Sequence, residues 1–93
     1  MAETEIRVEK KSREELEKEG VFDWPVWTHE AATFPWEYTT QETCYLLEGK
    51  VTVTPKGGGA PVEIQAGDYV VFPKGLECTW TIHEPVRKHY NFG

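Results

Sequence analysis

No apolar run in this chain approaches the ~20 residues needed to span a bilayer. Basic side chains are in the minority. Ten Lys and Arg stand against sixteen Asp and Glu, a net charge of −6. That balance argues against nucleic acid and membrane as partners, because both call for a basic surface. There is no nucleophile elbow, no phosphate loop and no Cys-x-x-Cys pair. Repeats, linkers and low-complexity stretches are missing as well. Cysteine is scarce, with only Cys44 and Cys78. Without a secretory signal, two cysteines read as reduced thiols of a cytosol-like compartment. The opening Met1-Ala-Glu-Thr-Glu is acidic and polar, so neither a signal peptide nor a transit peptide is predicted. The expected location is cytoplasmic, or organellar after removal of a transit peptide. Histidine is sparse too, at His29, His83 and His89.

What is present fits one small folded unit. Ninety-three residues lie near the lower end of what builds a self-sufficient core. A homodimer is therefore an expected partner state. Four Trp, four Tyr and four Phe are many for this length, and each buries a large area, which helps a small core suffice.

Thr4 to Glu9 alternates, with Ile6 and Val8 on one face, and reads as a short strand. Ser12 followed by Glu15 is a capping-box pattern, and Gly20 is a helix stop. The segment between them predicts a solvated helix of about two turns whose one large apolar residue is Leu16. Val21 to Tyr38 reads as irregular, because its prolines oppose helix interiors and central strands. The segment is expected to lie across the barrel or along its edge, with its tryptophans in the core; the other reading makes Trp24 and Trp27 an exposed patch for a partner subunit.

From Glu42 onward the signal is all strand. Thr43 to Leu47 is β-prone, Glu48-Gly49 reads as a turn, and Val51 to Thr54 returns. Lys56-Gly-Gly-Gly59 is a hairpin loop. Val62 to Ile64 follows, then a turn at Ala66-Gly-Asp68. Tyr69 to Phe72 is a continuous apolar run, as in a strand buried on both faces. Cys78, Trp80 and Ile82 alternate with Thr79, Thr81 and His83, and Val86 to Phe92 forms a last strand. Short strands separated by frequent turn signals predict an all-β barrel or sandwich.

These residues resemble the cupin superfamily. Gly67, Pro73, Gly75 and Cys78 sit at the spacing of its second motif, with Cys78 where a histidine belongs. Glu42 and Gly49 fit the end of the first motif, but its two histidines are missing near Trp36, Glu37 and Tyr38. Over about residues 4–92 the chain resembles a small subgroup related to ureidoglycine aminohydrolase and ethanolamine-utilisation cupins. The resemblance implies a single cupin-type β-barrel (an RmlC-like jelly roll) over residues 1–93, with its core at about 36–92 and one short N-terminal helix.

A cupin metal site uses three His and one Glu, which suits Zn, Mn, Fe or Ni. Here the resemblance leaves Glu42 and Cys78 at two of those positions and aromatic residues, Trp36 and Tyr38, at the others. The metal-ligand set is degenerate, and no cofactor is firmly implied. A divalent metal, if bound, would draw on Glu42, Cys44 and Cys78, since Cys44 shares a strand face with Glu42. The other readings make both cysteines small buried hydrophobes, or Cys78 a reactive thiol. Glu42 inside an aromatic barrel is expected to be desolvated, with its pKa raised. It is then either a general acid/base or a carboxyl satisfied by Tyr or Trp donors. Tyr38 donates to it or to a ligand, or is a core aromatic. Lys88 is expected at the surface, the alternative being a buried pair with Glu42.

The expected function is binding of a small molecule in a pocket around Trp36, Tyr38, Glu42, Cys44, Cys78 and Trp80. The first alternative is an enzyme with Glu42 and Cys78 as catalytic residues. The resemblance makes it a hydrolase, aminohydrolase or isomerase acting on a small polar nitrogen-containing metabolite. The second alternative is a non-catalytic dimeric interaction protein.

Overall fold

The computed structural model describes residues 6–92. The reading of Met1 to Glu5, including the start of the first predicted strand, lies outside them. The elements are β1 (Arg7–Glu9), α1 (Arg13–Lys18), a 3₁₀ turn (Val21–Asp23), β2 (Val26–His29), β3 (Ala32–Glu37), β4 (Glu42–Pro55), β5 (Val62–Gln65), β6 (Tyr69–Phe72) and β7 (Glu77–Phe92). All strand pairs are antiparallel. The order is β1-β6-β4-β7-β2, with β5 on β4 and β3 on β7.

Two long strands hold this sheet together. The first part of β4, from Glu42 to Leu46, pairs with the last part of β7, from Lys88 to Phe92. Its later part, from Val51 to Pro55, pairs with Cys78 to Ile82. Between the two zones the register shifts at Leu46/Glu48, Glu48/Lys50 and Lys50/Val51. Such bulges bend a strand and increase its twist. The sheet therefore has two halves that fold over one another. β1, β6 and β2 extend one half; β5 and β3 extend the other. Rings meet across the gap: Trp80 lies 5.8 Å from Phe72 and 6.1 Å from Trp27, centroid to centroid. This is the jelly roll expected of the sequence.

Period-2 alternation decides what faces the inside. Cys44, Leu46, Val51, Val53, Val70, Phe72, Cys78, Trp80, Ile82 and Val86 are buried in one core between the halves. Tyr45, Tyr69 and Val71 point the other way. Leu16 and Val21 cover them, with Phe22 and Trp24 packed alongside. The capping box at Ser12 and Glu15 forms as predicted. The helix is amphipathic to that extent: its one large apolar residue, Leu16, is buried on the outer face of the sheet.

Two expectations are corrected. The segment from Val21 to Tyr38 is ordered into a 3₁₀ turn and two strands. Proline is tolerated there because β3 pairs only with β7. An edge strand has one side without a ladder partner, so the missing N–H of Pro35 costs no bond. Glu48-Gly49 is not a turn between two strands. It is the bulged corner within one strand.

Gly49 has φ +112°, and a Cβ placed there would lie 2.8 Å from the Pro85 carbonyl oxygen and 2.8 Å from Val86 Cγ2. The corner of β4 thus closes directly on the corner of β7. Gly20 also has positive φ but open space around it. Gly49→Ala is expected to destabilise the fold by about 2 kcal/mol or more, and Gly20→Ala by about 1 kcal/mol. Urea midpoints at equal slope measure both, and equal losses would show that the corner contact is not critical.

Candidate functional site

On β7, Val86, Lys88 and Tyr90 share the inward face. The register sets Lys88 opposite Trp27 on one side and opposite Leu46 on the other. On β4, Glu42, Cys44 and Leu46 point the same way. The flexible stem of Lys88 carries its ammonium toward the Glu42 end, where Nζ donates to Glu42 Oε2 at 2.7 Å. Lys88 is 5% exposed and Glu42 3%. The ammonium also lies 4.6 Å from the Trp80 ring centroid and 5.0 Å from that of Trp27. One buried cation is thus held by a carboxylate and two indole faces. Desolvated cation–π contacts contribute about 2 kcal/mol each, which offsets part of the cost of taking both charges out of water.

Tyr38 supports this arrangement. Its backbone is pinned to the turn after β6 by Tyr38 N to Leu76 O at 2.8 Å and Gly75 N to Tyr38 O at 2.7 Å. Its ring stacks on Phe72 at 4.7 Å. Its hydroxyl accepts from Trp80 Nε1 at 3.0 Å. Burial, followed by the negative charge of Glu42, raises the phenol well above its ordinary range. Tyr38 is therefore a neutral hydroxyl at every physiological pH.

A cavity of about 220 Å³ opens above the pair. Its walls are Trp27, Phe34, Trp36, Tyr38 and Trp80; Tyr90 and Phe92 complete the mouth, and Glu42 and Lys88 are its charged groups. Trp36 and Phe92 are exposed at 44% and 53%, as rim residues are.

Four of the six residues placed in the pocket from sequence line this cavity: Trp36, Tyr38, Glu42 and Trp80. The two cysteines do not. Cys44 is buried behind the wall, and burial pushes its thiol up to about 12. Cys78 lies opposite Trp36 on β3 and Pro55 on β4, and burial pushes its thiol up to about 11. Burial therefore works against a thiolate at either position. Glu42 is buried as expected, but its donor is neither a Tyr nor a Trp: it is Lys88, the alternative left open by the sequence. Surface placement of Lys88 is overturned with it.

The residues here do not fit a divalent metal ion. Among the described residues no three His, Cys, Asp or Glu gather closely enough to hold one, so Glu42, Cys44 and Cys78 are not a ligand set. The carboxylate that would serve a metal is engaged with an ammonium. None of the histidines lines the cavity. His29 stacks on Trp27 at 5.3 Å, His83 meets Thr52 Oγ1 at 2.8 Å, and His89 donates from Nδ1 to the Trp24 carbonyl at 2.9 Å.

Sequence reasoning missed Trp27, Phe34, Tyr90 and Phe92 as wall residues and misplaced Lys88. The usable signal was the alternation of β7, which sets Lys88 on one face with Val86 and Tyr90. Both tryptophans of the entry segment are half-buried: Trp27 lines the cavity, and Trp24 packs with Leu16 and Val21.

Breaking the pair from one side leaves a buried charge without a partner, at a cost of about 3–5 kcal/mol. Lys88→Met is expected to lose that much. Combining it with Glu42→Leu is expected to restore most of the loss, since an apolar pair of similar volume carries no desolvation term. A double-mutant cycle in urea measures the coupling; additive losses would contradict the pairing.

With the geometry in place, the likeness to other proteins becomes informative. A DUF861 family protein of Thermotoga maritima is 50% identical, with 96% of this chain and 100% of that chain covered and a TM-score of 0.92. A DUF861 protein of unknown function from Pseudomonas syringae is 28% identical over 73% of this chain and 29% of its own, with a TM-score of 0.65. The EutQ protein of Clostridium difficile, at 21% identity, covers 72% and 52% with a TM-score of 0.64 and shares the fold alone. The chain thus spans all of the Thermotoga protein but about half, or less, of the other two. No curated protein sequence matches it. The family profile described as the EutQ-like cupin domain matches residues 16–90. The chain belongs to the EutQ-like cupin family.

Proposed function

We propose that this cupin binds one small, uncharged organic molecule in the aromatic cavity, with its apolar body against the tryptophans and its polar end at Glu42 and Lys88. The observation that carries this reading is the buried pair at 2.7 Å inside a 220 Å³ aromatic cavity. The volume is below the ~300–1,000 Å³ of drug-sized sites, so the ligand is small. The aromatic walls favour a flat or apolar body.

The charge balance selects against ions. An anionic ligand reaching Lys88 would compete with Glu42 and leave a buried carboxylate unpartnered. A protonated amine would compete with Lys88 for Glu42 in the same way. Either outcome costs several kcal/mol. A neutral group that accepts from Lys88, with or without a donor for Glu42, enters without displacing either charge. The nitrogen-containing metabolite implied by the family resemblance fits on this basis only as an uncharged amide or urea-type compound.

Benzamide, benzoate and benzylamine share a ring and differ in the charge of the end group. At pH 7 benzamide is expected to bind at least tenfold more tightly than the other two, read by tryptophan fluorescence and ligand-observed NMR. Trp27→Ala is expected to weaken it about tenfold, or about 1.4 kcal/mol. Tighter binding of either ion, or indifference to Trp27→Ala, would overturn the reading.

The thiols provide a second check, against a cysteine-based enzyme. With Cys78 at about 11 and Cys44 at about 12, alkylation by iodoacetamide at pH 8 is expected to be at least about a hundredfold slower at Cys78, and slower still at Cys44, than for an ordinary thiol near 8.5. Native-state mass spectrometry over time reads the rate. Fast modification of Cys78 would restore the nucleophile.

A further inference from the structure

We infer that Lys88 is a carbonyl-capturing amine, and that the neutral polar end recognised by the cavity is an aldehyde or ketone. This rests on the binding reading above and names the ligand's reactive group. The inference starts from an oddity of the site. A single ammonium lines an aromatic cavity beside a carboxylate at 2.7 Å. A purely structural pair needs no access to a cavity. This one lines it from the inside.

Lysine becomes a nucleophile when it is desolvated and can hand its proton to a neighbour. Glu42 is that neighbour, within the 2.6–3.2 Å reach of proton transfer. The steps balance as follows. Glu42 takes one proton from the Lys88 ammonium, leaving a neutral amine and a neutral carboxyl. The amine nitrogen attacks the carbonyl carbon; the C–N bond forms and the C=O π pair moves to oxygen, which receives a proton from the attacking nitrogen. Glu42 then returns its proton to the resulting hydroxyl, the C–O bond breaks, and water departs. The product is an iminium at Lys88 and a carboxylate at Glu42. The sum is ammonium plus carbonyl giving iminium plus water, with no oxidant or reductant.

Charge explains why the site suits this reaction. The nitrogen is cationic before and after, so Glu42 is partnered in both states and the net charge of the cavity never changes. The faces of Trp27 and Trp80, at 5.0 and 4.6 Å, stabilise the iminium as they do the ammonium. Lys88 differs in all of this from the six other lysines of the chain.

The test uses the intact wild-type chain with benzaldehyde and sodium cyanoborohydride at pH 7, followed by peptide mapping. The hydride reduces any iminium to a stable benzylated lysine. Lys88 is expected to carry the adduct at least tenfold above the mean of the other six lysines, although it is the buried one. Modification of Lys88 at or below that mean would overturn the inference. Benzamide and benzyl alcohol, which form no imine, are titrated in parallel. If they bind and Lys88 stays unmodified, carbonyl capture falls and the binding reading stands. If they do not bind, the binding reading itself falls. Lys88→Arg retains a cation for Glu42 and is expected to give no adduct at position 88, while the other six lysines react as in wild type; an unchanged total yield of adduct in that variant would overturn the inference.

Discussion

The buried pair between Glu42 and Lys88 is the interaction on which the site depends. Neither charge is tolerable alone at that depth. Together, with two indole faces on the ammonium, they form a neutral unit that an aromatic cavity accommodates. The pair also locks relative position. Lys88 belongs to the last stretch of β7, Glu42 to the first residue of β4, Trp27 to β2, and Trp80 to the other half of the sheet. A shift of any one strand by a residue would turn its side chain to the opposite face and leave a charge exposed to hydrocarbon. The hydrophobic core tolerates small repacking; the pair does not.

The pair can exist only because the sheet folds over itself. Trp80 reaches Lys88 from the second half of the sheet, and that approach depends on the corners in β4 and β7. Gly49 supplies the β4 corner, where no side chain fits against Pro85 and Val86. The outer face has a different solution. α1 and the 3₁₀ turn cover Tyr45, Tyr69 and Val71, so β6 is buried on both faces even though it lies next to the edge strand β1. Lys11 and Tyr69 both donate to Glu19 there, and Lys10 pairs with Asp68. The N-terminal segment is fastened by polar contacts at its rim and by Leu16 at its centre.

Much of the fold was legible because alternation is a local property. Cys78-Thr-Trp80-Thr-Ile82 sorts its faces without reference to anything distant, and the structure keeps that sorting. The capping box at Ser12 is local as well. What escaped was set by partners far away in sequence. Prolines at 25 and 35 argue for irregular chain, and the edge position is expected from them; that the edge is ordered into β2 and β3 is set by pairing with the distant β7. Glu48-Gly49 has the chemistry of a turn, and only the shift of register against β7 makes it a corner. Lys88 escaped for a related reason. Alternation groups it with Val86 and Tyr90 without saying which face of the strand is inward, and lysine's preference for water made the surface the favoured reading over a buried pair with Glu42. Residue type sets a default. A carboxylate 46 positions away reversed it, and no local window contains that carboxylate.

The same pair accounts for the missing histidines. In a metal-binding cupin of the kind the sequence resembles, one carboxylate and three imidazoles surround a doubly charged ion. Here the carboxylate remains as Glu42, the cation is the tethered ammonium of Lys88, and aromatic rings stand where neutral donors would be. An ammonium has half the charge of the divalent ion and offers only hydrogen bonds, so one carboxylate neutralises it. Imidazoles in that shell would be surplus, and indole faces stabilise a monovalent cation without adding polar atoms that need partners. The substitution also changes what the cavity can do. A metal polarises a ligand from an open coordination position. An ammonium donates hydrogen bonds from a fixed tether, and with Glu42 beside it and the faces of Trp27 and Trp80 over it the cavity holds a single monovalent charge centre.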